Sequence, residues 1–163
     1  MAFTIRRARE GDAEFVVALF LKPQSRAPFY RVDAGTFAGW LERSDLETYV
    51  IERDGVPFAS LVLRIDPAWQ LEISSVAVWE SKCGAGRFAL QFAIARGFDE
   101  LGVHRITAEV LSNDARARRL YERLGFRMEG LYREGYRDEG GAYLNVVAYG
   151  MLANDRRPAA SAR

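Results

Sequence analysis

The sequence predicts one mixed α/β (α+β) domain: a mostly antiparallel sheet of about seven strands with helices on both faces. Three observations carry this. The chain has 163 residues, close to the roughly 150 expected of a single domain. Its apolar positions switch repeatedly between alternation and the i, i+3, i+4 spacing, so strands and helices are intermixed. The order that results, β-α-α-β-β-β-α-β-α-β-β, contains tight hairpins, which need antiparallel pairing. It also contains one strand–helix–strand crossover, which needs a parallel pair.

Phe3-Thr4-Ile5 alternates like a strand. Asp12 stands where an N-cap belongs, ahead of the stripe Phe15, Val16, Leu19 and Phe20, with Pro23 as the stop. Gln24 to Val32 reads as a loop, and Asp33 caps a second short helix carrying Phe37, Trp40 and Leu41. Thr48 to Glu52 and Val56 to Ile65 form a hairpin through Arg53-Asp54-Gly55, because Asp-Gly readily takes the positive φ of a tight turn. Leu71 to Val78 is a third strand, β-branched at Ile73, Val76 and Val78.

After the loop Trp79 to Cys83, a long helix is expected from Gly84 to Leu101. Its stripe Leu90, Ile94, Phe98 and Leu101, thickened by Phe88, Phe92 and Ala95, predicts burial on a broad face. His104 to Val110 returns as a strand. Asn113 to Leu124 is a helix with Ala117, Leu120, Tyr121 and Leu124 on one side and Gly125 as its C′ glycine. Phe126 to Arg133 and Tyr143 to Met151 close a domain of residues 1–152. The polar tail 153–163 is expected to be disordered.

Composition removes several function classes. Lys and Arg total 23 against 22 Asp and Glu, which fits neither a polybasic nucleic-acid reader nor a basic membrane-surface protein. The single cysteine, Cys83, precludes an internal disulfide and a cysteine-based zinc site, and no metal is expected. The one histidine, His104, lies across the crossover helix from Cys83, which argues against a Cys-His nucleophile. The N-terminus lacks an apolar signal core, and the run Phe15 to Leu21 is far short of the ~20 residues of a membrane span. A cytoplasmic setting is expected.

Cys83-Gly84-Ala85-Gly86-Arg87 lies between a strand and a helix. Such a turn presents backbone N–H groups at the positive end of the helix, and glycine lets an anion approach them. A plain turn, a dinucleotide site and a coenzyme A site all fit. A P-loop does not, since no Gly-Lys-Ser/Thr follows. Gly84, Gly86 and Ala89 satisfy GxGxxA, and Glu109 lies near the end of the next strand. Against a dinucleotide stand the five residues between Val78 and Gly84, and the short remainder of the chain.

The stretch Leu71 to Leu152 resembles the GNAT family of acetyl-CoA-dependent N-acetyltransferases. LEISSVAV is similar to that family's fourth strand, GAGRFALQFAIARGFDELGVHRITAEV to its CoA-binding helix and fifth strand, and ARRLYERLGFRMEG to its AxxLYxxLGF signature. LYREGYRDEGGAYLNVVAYGML resembles the branch of ribosomal-protein alanine and spermidine acetyltransferases. The resemblance implies a sheet whose central strands splay apart, with Val76, Ala77 and Val78 pairing their main chain with the pantetheine arm. It implies pyrophosphate binding by Lys82, Cys83, Gly84, Ala85, Gly86 and Arg87. The family's loop cation is replaced by Ser81, beside Lys82 and Arg87. The family's asparagine falls on Asp114, with Asn113 one earlier; these and Arg116 are expected at the cofactor, unless Asp114 only caps its helix.

The implied activity is transfer of an acetyl group from acetyl-CoA to a primary amine in a ternary complex; a non-catalytic acyl-CoA-binding domain is the alternative. By resemblance Tyr121 lies near the CoA sulfur as the acid, although its place on the apolar stripe also suits a core tyrosine. Glu72, a carboxylate in an otherwise apolar strand, is the candidate base, directly or through a water. Glu109 reads as a structural partner for an arginine. The acceptor, a small molecule or a protein N-terminus, and homodimerisation are left open.

Overall fold

Seven strands lie in the spatial order β1-β2-β3-β4-β5-β7-β6 in a computed structural model that describes residues 2–22, 31–66 and 69–156. In chain order the elements are β1 (Phe3–Arg7), α1 (Ala13–Leu21), α2 (Ala34–Glu42), β2 (Leu46–Arg53), β3 (Val56–Asp66), β4 (Gln70–Val78), α3 (Ala85–Ala95), β5 (Arg105–Leu111), α4 (Ala115–Leu124), β6 (Arg127–Arg137) and β7 (Tyr143–Leu152). Every neighbouring pair is antiparallel except β4–β5, the pair joined by the α3 crossover. The expected mixed sheet is therefore present. Much of the 24–32 loop, from 24 to 30, and most of the expected tail, from 157 on, lie outside the described residues.

The central strands are buried on both faces. On one side, Leu90 and Ala93 of α3 and Tyr121 of α4 share a core with Ile51, Leu61, Leu63, Leu71, Ile106 and Tyr149. On the other, Val16 of α1 packs with Phe37 of α2, and Leu19 packs on Ala77 of β4. Asp54 and Gly55 both take positive φ, 52° and 82°, making the β2–β3 hairpin turn its sequence demands. Gly125 ends α4 at φ 104°.

Two local expectations need correction. Asp12 precedes α1, but its carboxylate does not cap that helix. Arg6 Nη1 and Nη2 each donate to it at 2.8 Å, and the Arg9 N–H adds a third bond at 2.8 Å. A guanidinium offers two charge-assisted bonds where the helix end offers one neutral donor. Asp33, with no such competitor, does cap α2, accepting from the Thr36 N–H at 2.7 Å.

The second correction concerns the long helix. α3 is regular only to Ala95 and continues as a π-helical turn over Arg96–Leu101. Gly97 faces β5 so closely that a Cβ there would lie 2.8 Å from Ile106 Cδ1. Leu90 and Ile94, in the regular part, are buried, whereas the wider turn shifts the phase of the stripe beyond them and Leu101 is exposed.

Candidate active site

β4 carries one residue more than β3. Val62 pairs with Ser75 and Leu63 with Ile73, leaving Ser74 as a bulge. A bulge bends its strand and sharpens the local twist. Immediately there, the parallel ladder between β4 and β5 stops: it runs from Gln70↔Arg105 to Ile73↔Ala108 and no further. β4 continues to Val78 and β5 to Leu111 with their facing edges apart. A cleft of about 480 Å³ opens between them. The splay of the central pair thus begins at the inserted residue.

The cleft gathers most of the expected residues. Val76 and Val78 line it from β4; Lys82, Cys83, Gly84, Ala85 and Gly86 from the loop; Asn113, Asp114 and Arg116 from the start of α4; and Tyr121 from its middle. Ala77 does not line it, because alternation turns its side chain to Leu19. Lys82 and Gly84 take positive φ, 69° and 93°. Gly84 is the N-cap of α3 and brings no side chain to it, so the first-turn N–H groups have no intrahelical partner. Cys83 is a free thiol that donates to the Glu80 carbonyl at 3.2 Å. Asp114 caps α4 through the Ala117 N–H at 3.0 Å while also lining the cleft.

Beside the loop lies a hollow of about 560 Å³ lined by Lys82, Arg87, Arg116, Arg119 and Arg123 together with Gly84, Gly86 and Leu120. Arg119 and Arg123 were not foreseen. The signal was present: Arg116, Arg119 and Arg123 follow i, i+3, i+7, which puts all three on one side of α4. Five cations around uncapped helix N–H groups suit a polyanion.

The two acidic candidates have different surroundings. Glu72 is not among the residues lining the cleft. It pairs with Arg64 across the β3–β4 ladder and accepts from Ser74 Oγ at 3.0 Å. Glu109, read from sequence as an arginine's partner, lines the cleft and among the described residues has no ion pair. Partial desolvation raises the proton affinity of Glu109, which stays open to solvent, and the Glu72 charge raises it further, with Arg64 opposing. The two carboxylates are the same residue type, and position alone distinguishes them.

Tyr121 is 7% exposed. Its ring stacks on Tyr149 at 5.8 Å and meets Phe126 edge-on at 5.1 Å. Burial pushes its phenol well above the ordinary tyrosine range, so it stays protonated throughout the physiological range.

Comparison with known proteins agrees with this geometry. The model of the acetyltransferase (GNAT) family matches residues 13–126. No curated protein matches the sequence. Among solved structures, the ribosomal-protein-S18-alanine N-acetyltransferase from Escherichia coli superposes with a TM-score of 0.76 at 21% identity, covering 99% of each chain. An N-acetyltransferase from Staphylococcus aureus Mu50 gives 0.79 at 17% identity, over 94% of this chain and 99% of that one. A variant of the spermidine N-acetyltransferase SpeG from Vibrio cholerae gives 0.79 at 20% identity, over 93% and 94%. At these identities the superpositions establish a shared fold, and the family match covers most of the sequence: the chain belongs to the GNAT acetyltransferase family.

Proposed function

We propose that the protein moves the acetyl group of acetyl-CoA to a primary amine by direct transfer in a ternary complex, with Glu109 as base and Tyr121 as acid. The observation that carries this is that Glu109 and Tyr121 line one cleft that ends at the glycine loop. The donor's pyrophosphate and phosphate suit the first-turn N–H groups of α3 and the cations Lys82, Arg87, Arg116, Arg119 and Arg123. The free main-chain edge at Val76, Ala77 and Val78 suits the amides of the pantetheine arm, in the manner of strand addition.

In the reaction the amine nitrogen forms the new N–C bond and the C–S bond of the thioester breaks. The proton lost by the amine passes to the Glu109 carboxylate. The Tyr121 phenol gives its proton to the departing thiolate and regains one from solvent. Glu109 is preferred to Glu72 because Glu72 is occupied by Arg64 and Ser74 and lies outside the cleft lining. The raised proton affinity of Glu109 strengthens it as a base.

The experiment is a transfer assay with acetyl-CoA against polyamines, short peptides with free N-termini and amino-sugars. It follows thiol release and acetylated product together. Equal amounts of thiol and product with one acceptor class are expected. At about a hundred times its dissociation constant acetyl-CoA adds ~2.7 kcal/mol of stability. That stabilisation with no turnover on any amine would replace the enzyme by a non-catalytic acyl-CoA-binding domain.

A further inference from the structure

We infer that Tyr149 is a positioning residue that sets the aim of the Tyr121 hydroxyl by holding α4 in one rotation against β7. The inference rests on the assignment of Tyr121 as the acid.

Tyr149 is 1% exposed and touches α4 in two ways. Its ring lies nearly parallel to that of Tyr121, with centroids 5.8 Å apart and 14° between planes. Its hydroxyl donates to Glu122 Oε1 at 2.8 Å and accepts from Arg118 Nε at 3.3 Å. Arg118 and Glu122 are i, i+4 neighbours on α4, three residues before Tyr121 and one after it. One side chain of β7 therefore grips the helix at the acid itself and on both sides of it. Arg118 extends the grip, donating through Nη1 to the Ser112 carbonyl at 3.3 Å. That carbonyl immediately precedes Asn113 and Asp114, which line the cleft.

α4 sits shallowly on the core. Of its side chains only Tyr121 is buried, and five of its ten residues are arginine or glutamate. Ala117, Leu120 and Leu124 pack against the core from partly buried positions, and the contacts of Tyr149 add to that shallow apolar seat. An α-helix with its side chains has a radius of roughly 5–6 Å, so about 10° of rotation moves a group at its edge by roughly 1 Å. A misplacement of about 1 Å can cost ~10²-fold in rate. The Phe126 ring restrains Tyr121 from the side, meeting it edge-on at 5.1 Å.

The test is a double-mutant cycle on kcat with Tyr121→Phe and Tyr149→Phe, the second of which keeps the stacked ring. Tyr149→Phe is expected to lower kcat about fivefold or more while leaving the KM for acetyl-CoA within about twofold. In the Tyr121→Phe background the same change is expected to lower kcat by less than about 1.5-fold, because there is no hydroxyl left to aim. Glu122→Ala, which removes the acceptor from an exposed position, should reproduce the kcat loss without touching the core. An equal effect of Tyr149→Phe in both backgrounds, or normal kcat in both Tyr149→Phe and Glu122→Ala, overturns the positioning role while the acid stands. Normal turnover by Tyr121→Phe alone overturns the acid, and the positioning role with it.

Discussion

Glu72 and Glu109 share one face of the β4–β5 pair, yet only Glu72 is neutralised. Glu72 stands opposite Thr107, and Glu109 is two residues further along β5, just past the last paired position, Ala108. Arg64 and Ser74 satisfy Glu72. Glu109 is left at the splay with a negative neighbour and no counter-ion of its own among the described residues. A carboxylate in that setting holds its proton more tightly and accepts one more readily.

Glu109→Gln should lower kcat/KM by about 10²-fold or more, since positioned bases contribute ~10²–10⁴. The pH profile gives a finer check. The base works when ionised, so activity rises with pH through its raised pKa. Removing the Glu72 charge in Glu72→Gln lowers that pKa and should move the rising limb to lower pH. A limb that moves upward, or a Glu109→Gln enzyme of normal rate, places the base elsewhere.

The acid predicts the other side of the profile. Tyr121 must be protonated, and burial raises its phenol above the ordinary value of 10.0. Its deprotonation should therefore produce no falling limb below about pH 10. Tyr121→Phe should lower kcat about 10²-fold with a much smaller change in the KM for acetyl-CoA, because the lost bond strengthens only as the thiolate develops.

For the donor site, Gly86→Val is expected to weaken acetyl-CoA binding about tenfold or more, which is ~1.4 kcal/mol or above. The fold should survive, because a Cβ at Gly86 meets only Leu120 Cδ2, at an ordinary 3.6 Å. Arg119→Gln with Arg123→Gln should also weaken acetyl-CoA binding and flatten its salt dependence, with no effect on an acetyl-pantetheine thioester that lacks the phosphates. Calorimetric titration of both ligands decides it.

Stability should depend on Asp12. Its bonds from Arg6 hold the carboxyl below the ordinary range. A depressed pKa contributes stability that is present above the unfolded value and is lost as pH falls through the folded one. Asp12→Asn should therefore cost about 2 kcal/mol at neutral pH, and the difference from wild type should shrink in acid. Denaturant melts at two pH values measure this.

Ser60 should behave in the opposite way. It is 0% exposed, and its hydroxyl has no hydrogen-bond partner among the described residues. An unmade bond in the interior is a cost, so Ser60→Ala is expected to be neutral or stabilising by up to about 1 kcal/mol. A clear loss of thermal stability would show that the hydroxyl is bonded after all.

Much of this protein was determined by local chemistry, which a sequence carries directly. The β2–β3 turn is read from Asp54-Gly55, the α4 terminus from Gly125 and the α2 cap from Asp33, because each needs only its own neighbours. The glycine loop and the signature around Tyr121 are contiguous, so the donor end of the cleft and the family were legible as well. What only the tertiary structure decided involves partners far apart in the chain. Asp12 left its helix for Arg6 across the start of the fold. The α3 helix widens where Gly97 lies against Ile106 of another element. Arg64 took Glu72 and left Glu109 in the cleft, and Tyr149, 28 residues beyond Tyr121, came to lie against its ring. Which charges neutralise one another is set by strand register and packing, and register is a property of the assembled sheet rather than of any single strand.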